Sequence, residues 1–548
     1  MTFPAFASDL ERLGVLLGSV IGPNGLDVMY SADGHIHTTN YGIKLLQLFP
    51  SKHPMFCILF DAARSLHSVT GDGAKRFVMI IAAALLQLHK HCPTAELLQY
   101  SRGFGYLGRL LNKDLLPQLL SLRGGTTPSG GWACGAPQEA KYARHLLDTC
   151  LIPHHQCHVR NKLRELLIEG LGEKPNITLL NNTIDCFESL VMLEAGGPLD
   201  QSHAISGFIF NGDNIIGSIP SSTDIVSAII VKCGFEPVTA SDTNLLVSTP
   251  SDVSRYSNYW SHHISVLLQH VYSFGVRLMI VRGNIPLLLT GTLSQRLEQQ
   301  LCILVNVSDD TLKAMEKVTG VIPITELDEL LFIDNANIIS GTCKLKRFNA
   351  TNYIIINDNG TPSSPFPSCV TSFFLSSPTI GLARQFKFAI WNCLLALRNS
   401  LISDKEIQFV YGGGSWEIAL IRILKTYKEN KLIKGSPDWN CFSSLEAGLL
   451  SVVSSLVSVK PHQRATFYQS VYDSSDQLTV NAATGSLVTL PDQTHDVIES
   501  YNNIQYIMSS VCHTLSQLLR IDAVHPVSKR LPPPLLEKDK TPENEETD

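Results

Sequence analysis

The sequence has 548 residues, a net charge of -6 at neutral pH, 44% hydrophobic residues and only 17% charged residues. Soluble domains usually carry about 25% charged residues, so this composition indicates a large buried surface, part of it in contacts between subunits. The acidic balance provides no basic field, which argues against nucleic acid as the main partner. At roughly 150 residues per domain, the length predicts about three or four domain-sized units.

Cysteine usage and the apolar runs predict a cytosolic protein. The 13 cysteines occur singly, without a CxxC pair, and the first residues lack the basic and apolar regions of a signal peptide. The longest apolar run, Phe77 to Leu88, is interrupted by Gln87 and is shorter than the roughly 20 residues that cross a bilayer. We therefore expect reduced thiols, no membrane span and a buried helix at this run.

Apolar periodicity divides the chain into helical and mixed regions. Residues 1 to about 145 have helical spacing, whereas from about 205 to 365 short β-rich runs alternate with helical ones, which predicts an α/β unit. Helical spacing returns after about residue 380, so the α/β unit interrupts a helical region. The segment 234–260 is polar and poor in helical periodicity, and the proline-rich, charged tail from Pro526 predicts disorder.

A loop at the start of the longest apolar run has the composition of an anion site. Thr70-Gly71-Asp72-Gly73 precedes the predicted helix, so its backbone N–H groups can face a phosphate and Asp72 can bind magnesium. Asp-Gly is also an ordinary turn and helix start, and the isolated motif favours that simpler interpretation. The surrounding motifs therefore decide its function.

A histidine-rich segment offers ligand types for zinc without the spacing of a zinc site. The segment PHHQCH contains His154, His155, Cys157 and His158. Adjacent histidines point in different directions, and no second pair has zinc-finger spacing. The segment is therefore interpreted as a polar loop.

Six segments, in order and spacing, resemble landmarks of group II chaperonins of the TCP-1/cpn60 family. They are IGPNGLDVM (21–29), TTNYG (38–42), KHP (52–54), TGDGAK (70–75), YGGGSWE (411–417) and LLRIDAV (518–524), which resemble GPKG-x-DKM, TNDG, HP, GDGTT, GGGAxE and ILRIDDV. The resemblance implies an α+β multidomain group II chaperonin fold. Its parts are a mostly helical equatorial domain that binds nucleotide, a small intermediate domain and an α/β apical domain that contacts substrate.

The resemblance also implies where these three domains begin and end. The chain passes through the equatorial and intermediate domains twice, which agrees with the interrupted helical region. The expected boundaries are equatorial 1–145 and 405–548 with a disordered tail at 526–548, intermediate 146–204 and 366–404, and apical 205–365.

By position, the resemblance assigns a site for ATP or ADP with Mg²⁺. In the family the GPKG and GDGTT loops wrap the phosphates, the GDG aspartate binds magnesium and GGG lies beside the nucleoside. Here GDGTT has become GDGAK, which replaces hydroxyls with an ammonium that can pair with phosphate. Glu417 also matches the family and is interpreted as structural. The implied nucleotide-binding residues are Gly22, Pro23, Gly25, Asn40, Gly42, Gly71, Asp72, Gly73, Ala74, Lys75, Gly412 and Gly413, with Asp72 binding the metal through the nucleotide.

Two carboxylates that the family uses to activate water are replaced in this chain. The aspartate of TNDG is Tyr41, and alignment of NCLLALR with the family pattern DAL-x-VV places Asn392 at the second position. Tyrosine is a poor base at neutral pH, and asparagine cannot accept a proton as a carboxylate does. The sequence therefore predicts nucleotide binding without efficient ATP hydrolysis, and no catalytic residue is assigned.

A chaperonin-like chain that lacks these carboxylates resembles the Bardet-Biedl syndrome chaperonin-like branch of the family. That resemblance implies an assembly factor for the BBSome, a ciliary-trafficking complex, in the cytoplasm at the centrosome or basal body. The implied partners are paralogous chaperonin-like subunits, the cytosolic chaperonin ring and BBSome subunits. Two alternatives remain at this point, namely an active ATP-dependent folding subunit and a scaffold that binds no nucleotide.

The chain ends predict that the protein does not form a ring of identical subunits. In family rings the terminal segments form strands that pair between neighbours. Here residues 9–21 have the pattern of a helix, and Pro526 and residues 532–534 lack the N–H groups that a strand ladder needs. We therefore expect a complex with paralogous subunits.

Overall fold

The fold was derived from a computed structural model of the chain. The residues that the structure describes are 3–32, 35–49, 53–91, 97–121, 136–172, 176–212, 215–217, 225–235, 249–285, 301–348, 351–357, 370–401, 408–457, 459, 463–473, 478–481, 485–489 and 497–521. The predicted disorder from Pro526 onwards lies outside these residues. Within them, no helix is long and apolar enough to cross a membrane.

The two ends of the chain form one helical body with a shared apolar core, which contains residues from Phe6 to Leu119 and from Val410 to Leu519. At its centre the helix Ala74–His91 packs against helices from both ends. The helices of this body are α1 (Phe3–Val20), α2 (Gly42–Leu48), α3 (Pro54–Thr70), α4 (Ala74–His91), α5 (Leu97–Leu110) with a π-helical turn at Leu111–Leu115, α6 (Pro117–Ser121), α14 (Ser415–Lys431), α15 (Pro437–Leu456), α16 (Arg464–Asp473) and α17 (Tyr501–Leu518).

Helix α4 explains why its sequence is apolar on almost every side. It is covered by α1, α3, α15 and α17, and its residues from Phe77 to Ala82 are all fully or almost fully buried. A helix that is hydrophobic all round is stable only in such surroundings. The predicted buried helix is therefore confirmed.

Short two-stranded antiparallel sheets accompany this helical body. The pairs are β1 (Val28–Ala32) with β2 (His35–Thr39), β13 (Phe409–Tyr411) with β16 (Ile498–Ser500), and β14 (Leu478–Val480) with β15 (Leu487–Thr489).

A second apolar cluster lies between the helical body and the main sheet. It joins residues from Tyr142 to Leu199 with residues from Phe373 to Leu397, and it also includes Tyr41. Its elements are α7 (Ala136–Leu151), α8 (Cys157–Leu171), α9 (Ile177–Asp185), α10 (Phe187–Leu190), α13 (Ile380–Leu401) and a three-stranded sheet in the order β3 (Val191–Ala195), β12 (Thr371–Ser377), β4 (His203–Ser206).

The middle of the chain forms a seven-stranded mixed sheet with helices α11 (Pro250–Ser273) and α12 (Asp309–Thr319). Its central strands are parallel and the others antiparallel. The strand order is β5 (Phe208–Asn211), β11 (Thr351–Asn357), β10 (Ile338–Phe348), β7 (Ile225–Val231), β8 (Val276–Val281), β9 (Cys302–Leu304), β6 (Ile215–Ile216). The predicted α+β class is confirmed.

The polar segment 234–260 includes the start of a helix. Helix α11 begins at Pro250, so residues 250–260 are helical. Among the side chains of α11 that the structure describes, Ile264, Leu267, Leu268 and Val271 are buried. Trp260 donates a hydrogen bond to the Phe235 carbonyl (3.0 Å). Residues 236–248 lie outside the described residues.

Candidate functional site

The loops singled out in the sequence converge on two adjoining cavities. The larger has a volume of about 120 Å³ and the smaller about 10 Å³, and Asp72 and Lys75 line both. Of the other predicted residues, Gly22, Pro23, Gly73 and Gly413 line the larger cavity, and Gly42, Gly71 and Ala74 line the smaller. Gly25, Asn40 and Gly412 line neither.

The backbone of the GDG loop requires glycine at both positions. Helix α3 ends at Thr70, and Gly71 follows with a φ of 69° in the left-handed region. A Cβ atom on Gly71 would lie 2.2 Å from the Asn392 carbonyl oxygen, and one on Gly73 would lie 2.7 Å from Ile507. These contacts fix the loop against α13 and α17 and leave the Asp72 side chain exposed beside both cavities.

Lys75 acts as a structural link, which differs from its expected pairing with phosphate. Its Nζ donates to the carbonyl oxygens of Val20 and Asn40, each at 3.1 Å. Burial lowers the pKa of Lys75 to about 8. The ammonium therefore joins the end of α1 and the TNYG segment to α4, and two of its three N–H groups are already used.

The two positions without carboxylates both line the smaller cavity, together with Asp72. Tyr41 is 5% exposed, and burial raises its pKa well above the usual value, so the phenol stays neutral. The Oδ1 atom of Asn392 is buried without a hydrogen bond of ordinary geometry. Neither side chain supplies a charged base at this point.

The histidine-rich segment lies against the site, a placement that sequence reasoning missed. The Nδ1 atom of His154 donates to Asn40 Oδ1 (2.6 Å), and the His154 ring stacks on Tyr41 with centroids 4.1 Å apart. Burial lowers the pKa of His154 well below its usual value and that of His155 to about 4, so both rings are neutral at pH 7. The sequence offered one hint of this contact. A tyrosine replaces the TNDG aspartate, and two adjacent histidines occur elsewhere in the chain.

The structure gives no support to a metal site at this segment. Across the described ranges, no group of three or more His, Cys, Asp or Glu side chains is arranged to hold a metal ion. The absence of a metal at this loop stays a prediction. His154 lines both cavities, and His155 contacts Tyr41.

A second feature missed by sequence reasoning is a buried cluster of charges in the wall of the larger cavity. The Arg76 guanidinium makes two hydrogen bonds to Glu499 (2.6 and 3.0 Å), and its Nε lies 3.0 Å from Glu417 Oε1. Trp416 donates to Glu499 (3.2 Å) and packs on Arg76. Arg76 comes from α4 and Glu499 from β16, so only the fold brings them together.

Within this cluster, the ionised form of Glu417 is disfavoured by its surroundings. Its side chain is fully buried, and Oε2 has no hydrogen-bond partner among the described residues. Burial and the neighbouring Glu499 raise the pKa of Glu417 to about 7, although Arg76 opposes the shift. One guanidinium therefore faces two carboxyl groups, of which one holds its proton up to neutral pH.

We expect the stability of Glu417→Gln to increase relative to that of wild type as pH rises from about 4.5 to 7. The folded state raises the Glu417 pKa, so it binds a proton that the unfolded state releases, and the resulting stabilisation is lost over this range. A neutral glutamine avoids that loss. Melting temperatures measured against pH test this, with Glu429→Gln, an exposed position on the same helix, as the control. Parallel curves for wild type and Glu417→Gln would contradict the shift.

Comparison with known proteins identifies the family of this chain. The sequence profile of the TCP-1/cpn60 chaperonin family matches residues 155–528. The chain is 19% identical over 524 residues to thermosome subunit alpha of Halobacterium salinarum, covering 92% of this chain and 85% of that protein. It is 19% identical over 460 residues to thermosome subunit gamma of Saccharolobus solfataricus, covering 81% and 79%. Similarity to T-complex protein 1 subunit delta of Arabidopsis thaliana is 21% over 323 residues, covering 56% of each chain. The chain therefore belongs to the TCP-1/cpn60 chaperonin family.

Proposed function

We propose that this chain is a chaperonin-like assembly factor that binds magnesium nucleotide but hydrolyses it inefficiently. The observation that carries the proposal is the smaller cavity, where Asp72 is joined by Tyr41 and Asn392. Attack of water on a γ-phosphate needs a positioned base. Two neutral side chains at these places favour binding over turnover.

The residues present fit a nucleotide in the larger cavity. The loops at Gly22 and Gly73 place backbone beside the cavity, and the exposed Asp72 carboxylate is a suitable oxygen ligand for Mg²⁺. Apolar side chains such as Leu456 and Val480 line the wall around Gly413 and suit a nucleoside. When bound, the magnesium nucleotide would supply a polarised phosphate, and the residues that line the cavity would orient the nucleotide.

Three apolar clusters support the proposed equatorial, intermediate and apical domains. The first joins the two chain ends, the second joins residues from Tyr142 to Leu199 with those from Phe373 to Leu397, and the third lies under the seven-stranded sheet. The boundaries themselves remain those proposed from the sequence.

The proposed cellular role is assembly of the BBSome at the centrosome or basal body, with paralogous subunits and the cytosolic chaperonin ring. The motif TGDGAK before an apolar helix resembles the tenth Bardet-Biedl syndrome protein, which is the preferred assignment. The short length without large insertions is closer to the McKusick-Kaufman syndrome protein, which is the alternative. The alternative of an active folding subunit is favoured by the relatives, which are thermosome and T-complex protein 1 subunits. Co-purification from native cells distinguishes BBSome clients from general ones.

We expect Asp72→Ala to abolish magnesium-dependent nucleotide binding, because it removes the exposed carboxylate that lines both cavities. Calorimetric titration with Mg-ATP and with ATP plus a chelator measures the effect. Asp61→Ala, at an exposed position on α3, is the control for a general charge effect. Equal affinity of wild type and Asp72→Ala for Mg-ATP would overturn the assigned site.

We expect the purified chain to be a monomer or a small, aggregation-prone species that becomes soluble when its paralogues are co-expressed. The stretch from Phe3 to Val20 forms a helix, so this stretch itself does not supply a strand that pairs between neighbours. Light scattering on the purified chain measures the particle mass. A particle of about eight or more copies, as in a family ring, would contradict the proposal.

A further inference from the structure

One histidine that lines the smaller cavity has no role in the site as described so far. His67 belongs to the last turn of α3, and its carbonyl oxygen accepts a hydrogen bond from the Gly71 N–H (2.9 Å). Its side chain lines the smaller cavity together with Asp72 and Asn392. The imidazole is therefore placed beside the candidate metal ligand and beside one of the two positions that lack a carboxylate.

Helix α13 contacts the imidazole from the opposite side. The Phe388 ring stacks on the His67 ring with centroids 5.8 Å apart. Asn392 follows four residues later, on the same face of α13, and its amide lies within hydrogen-bonding reach of the imidazole. Helices α3 and α13 thus bring one imidazole and one amide to the same cavity.

Two polar atoms of this pair have unused hydrogen-bonding capacity. Among the residues that the structure describes, neither His67 Nε2 nor Asn392 Oδ1 makes a hydrogen bond of ordinary geometry, although both atoms are buried. Buried polar atoms in proteins are nearly always paired with protein groups or with ordered water, because an unpaired one destabilises the folded state. The pair therefore requires a third group that can bond to both atoms.

A single water molecule meets this requirement. The smaller cavity has a volume of about 10 Å³, and one buried water needs roughly 10–15 Å³. Burial lowers the pKa of His67, against the opposing effects of Asp72 and Asn392, so the ring is neutral at pH 7. A neutral imidazole has one acceptor nitrogen, and the amide oxygen is a second acceptor. A water molecule can donate one proton to each of them.

We propose that His67 is a positioning residue for ATP hydrolysis, which holds one water molecule together with Asn392 and orients it beside Asp72. The role in hydrolysis rests on the proposed function, whereas the water site rests on contacts within the chain. Asp72 also lines the larger cavity, so a water in the smaller cavity lies next to the proposed nucleotide site. When both of its protons are donated to Nε2 and Oδ1, the lone pairs of the water stay free for attack.

This arrangement gives slow rather than absent turnover. The water oxygen bonds to the γ-phosphorus while the bond from that phosphorus to the ADP oxygen breaks, and the proton that leaves the water passes to the released phosphate. Orientation by His67 and Asn392 assists this step, but neither group is a carboxylate that activates the water. The rate should therefore lie well below that of an enzyme with a positioned carboxylate base.

The first test looks for the water site without any nucleotide. A crystal structure of the full chain that resolves ordered water should show one water molecule within hydrogen-bonding distance of both His67 Nε2 and Asn392 Oδ1. A cavity without such a water would overturn the proposal, as would a protein group bonded to both atoms.

Melting temperatures test the same site in solution. His67→Phe and Asn392→Leu each remove one partner of the water, and the double variant removes both. Because a shared partner couples the two positions, we expect the double variant to melt above the temperature that the summed losses of the single variants give. Additive losses would show that the two side chains share no partner and would overturn the water site.

The second test follows phosphate release with the protein in excess over Mg-ATP, so that a single slow turnover is measured. His67→Phe keeps a ring against Phe388 and removes both nitrogens. We expect release to be roughly tenfold slower at unchanged affinity for Mg-ATP, the effect of one hydrogen bond to the water. His67→Gln places an amide near the position of Nε2 and should keep most of the wild-type rate, which a purely structural effect would not produce.

His513→Phe, at an exposed position on α17, is the control and should leave phosphate release unchanged. Equal rates in wild type and His67→Phe would overturn the role of His67, as would equal losses in His67→Phe and His67→Gln. If wild type binds Mg-ATP without any release of phosphate, the role of His67 fails and nucleotide binding stands. If wild type binds no Mg-ATP, the proposed function fails, and the crystal structure and melting temperatures still decide the water site.

Discussion

Replacing Arg76 by methionine is expected to destabilise the protein by about 3–5 kcal/mol, the usual cost of removing one partner of a buried ion pair. Arg76 is the cation between Glu417 and Glu499, and its side chain is 17% exposed. Methionine fills much of the same space but leaves two carboxyl groups buried without a counter-charge. Chemical denaturation monitored by circular dichroism measures the loss of unfolding free energy.

The controls for Arg76 separate charge burial from loss of packing. Arg64→Met, whose guanidinium pairs with Asp61 at the surface, should change stability little, because exposed pairs contribute about 0–1 kcal/mol. Adding Glu417→Gln and Glu499→Gln to Arg76→Met should recover part of the lost stability. If Arg76→Met is as stable as Arg64→Met, the charge cluster does not stabilise the cavity wall.

The double change Tyr41→Asp with Asn392→Asp is expected to raise ATP turnover by roughly a hundredfold, the scale of one positioned acid or base. Both positions line the smaller cavity beside Asp72, so the two carboxylates would face a water next to the bound phosphate. The neighbouring Lys75 ammonium would offset part of their repulsion. Steady-state phosphate release with saturating Mg-ATP measures the effect.

The matched control for the double change is Tyr41→Asn in the wild-type Asn392 background. It removes the Tyr41 ring and its contacts with His154 and His155 but supplies an amide at each position. Turnover in this variant should stay close to that of wild type, because an amide cannot accept the proton. A rise equal to that of the double aspartate variant would assign the effect to opening of the site and would sink the account of the lost carboxylates.

Local features of the structure could be predicted from the sequence, and contacts between distant segments could not. The apolar run from Phe77 to Leu88 predicted the buried centre of the helical body, because its pattern is contained in one segment. The bidentate pair of Arg76 and Glu499 joins positions 423 residues apart, and Tyr41 and His155 are 114 residues apart. No periodicity or spacing within a segment indicates such pairs, which depend on how the two chain ends and the connecting turn pack.

The candidate site shows the same division. The resemblance to the family motifs predicted that these segments share a site, and the structure places Asp72, Tyr41 and Asn392 at one cavity. The hydrogen-bond partners of Lys75 could not be predicted from its charge, because they are the backbone carbonyls of Val20 and Asn40. Carbonyl groups are present at every residue, so only the fold determines which of them a buried ammonium meets.

The central claim is that the chain binds magnesium nucleotide with little hydrolysis, and one measurement on a single sample tests it most directly. Binding of Mg-ATP by calorimetry and steady-state phosphate release are measured on the same purified wild-type protein, with a thermosome as the reference for turnover. The account predicts saturable binding that Asp72→Ala abolishes, together with turnover far below the reference. Turnover equal to that of the reference and abolished by Asp72→Ala would contradict it.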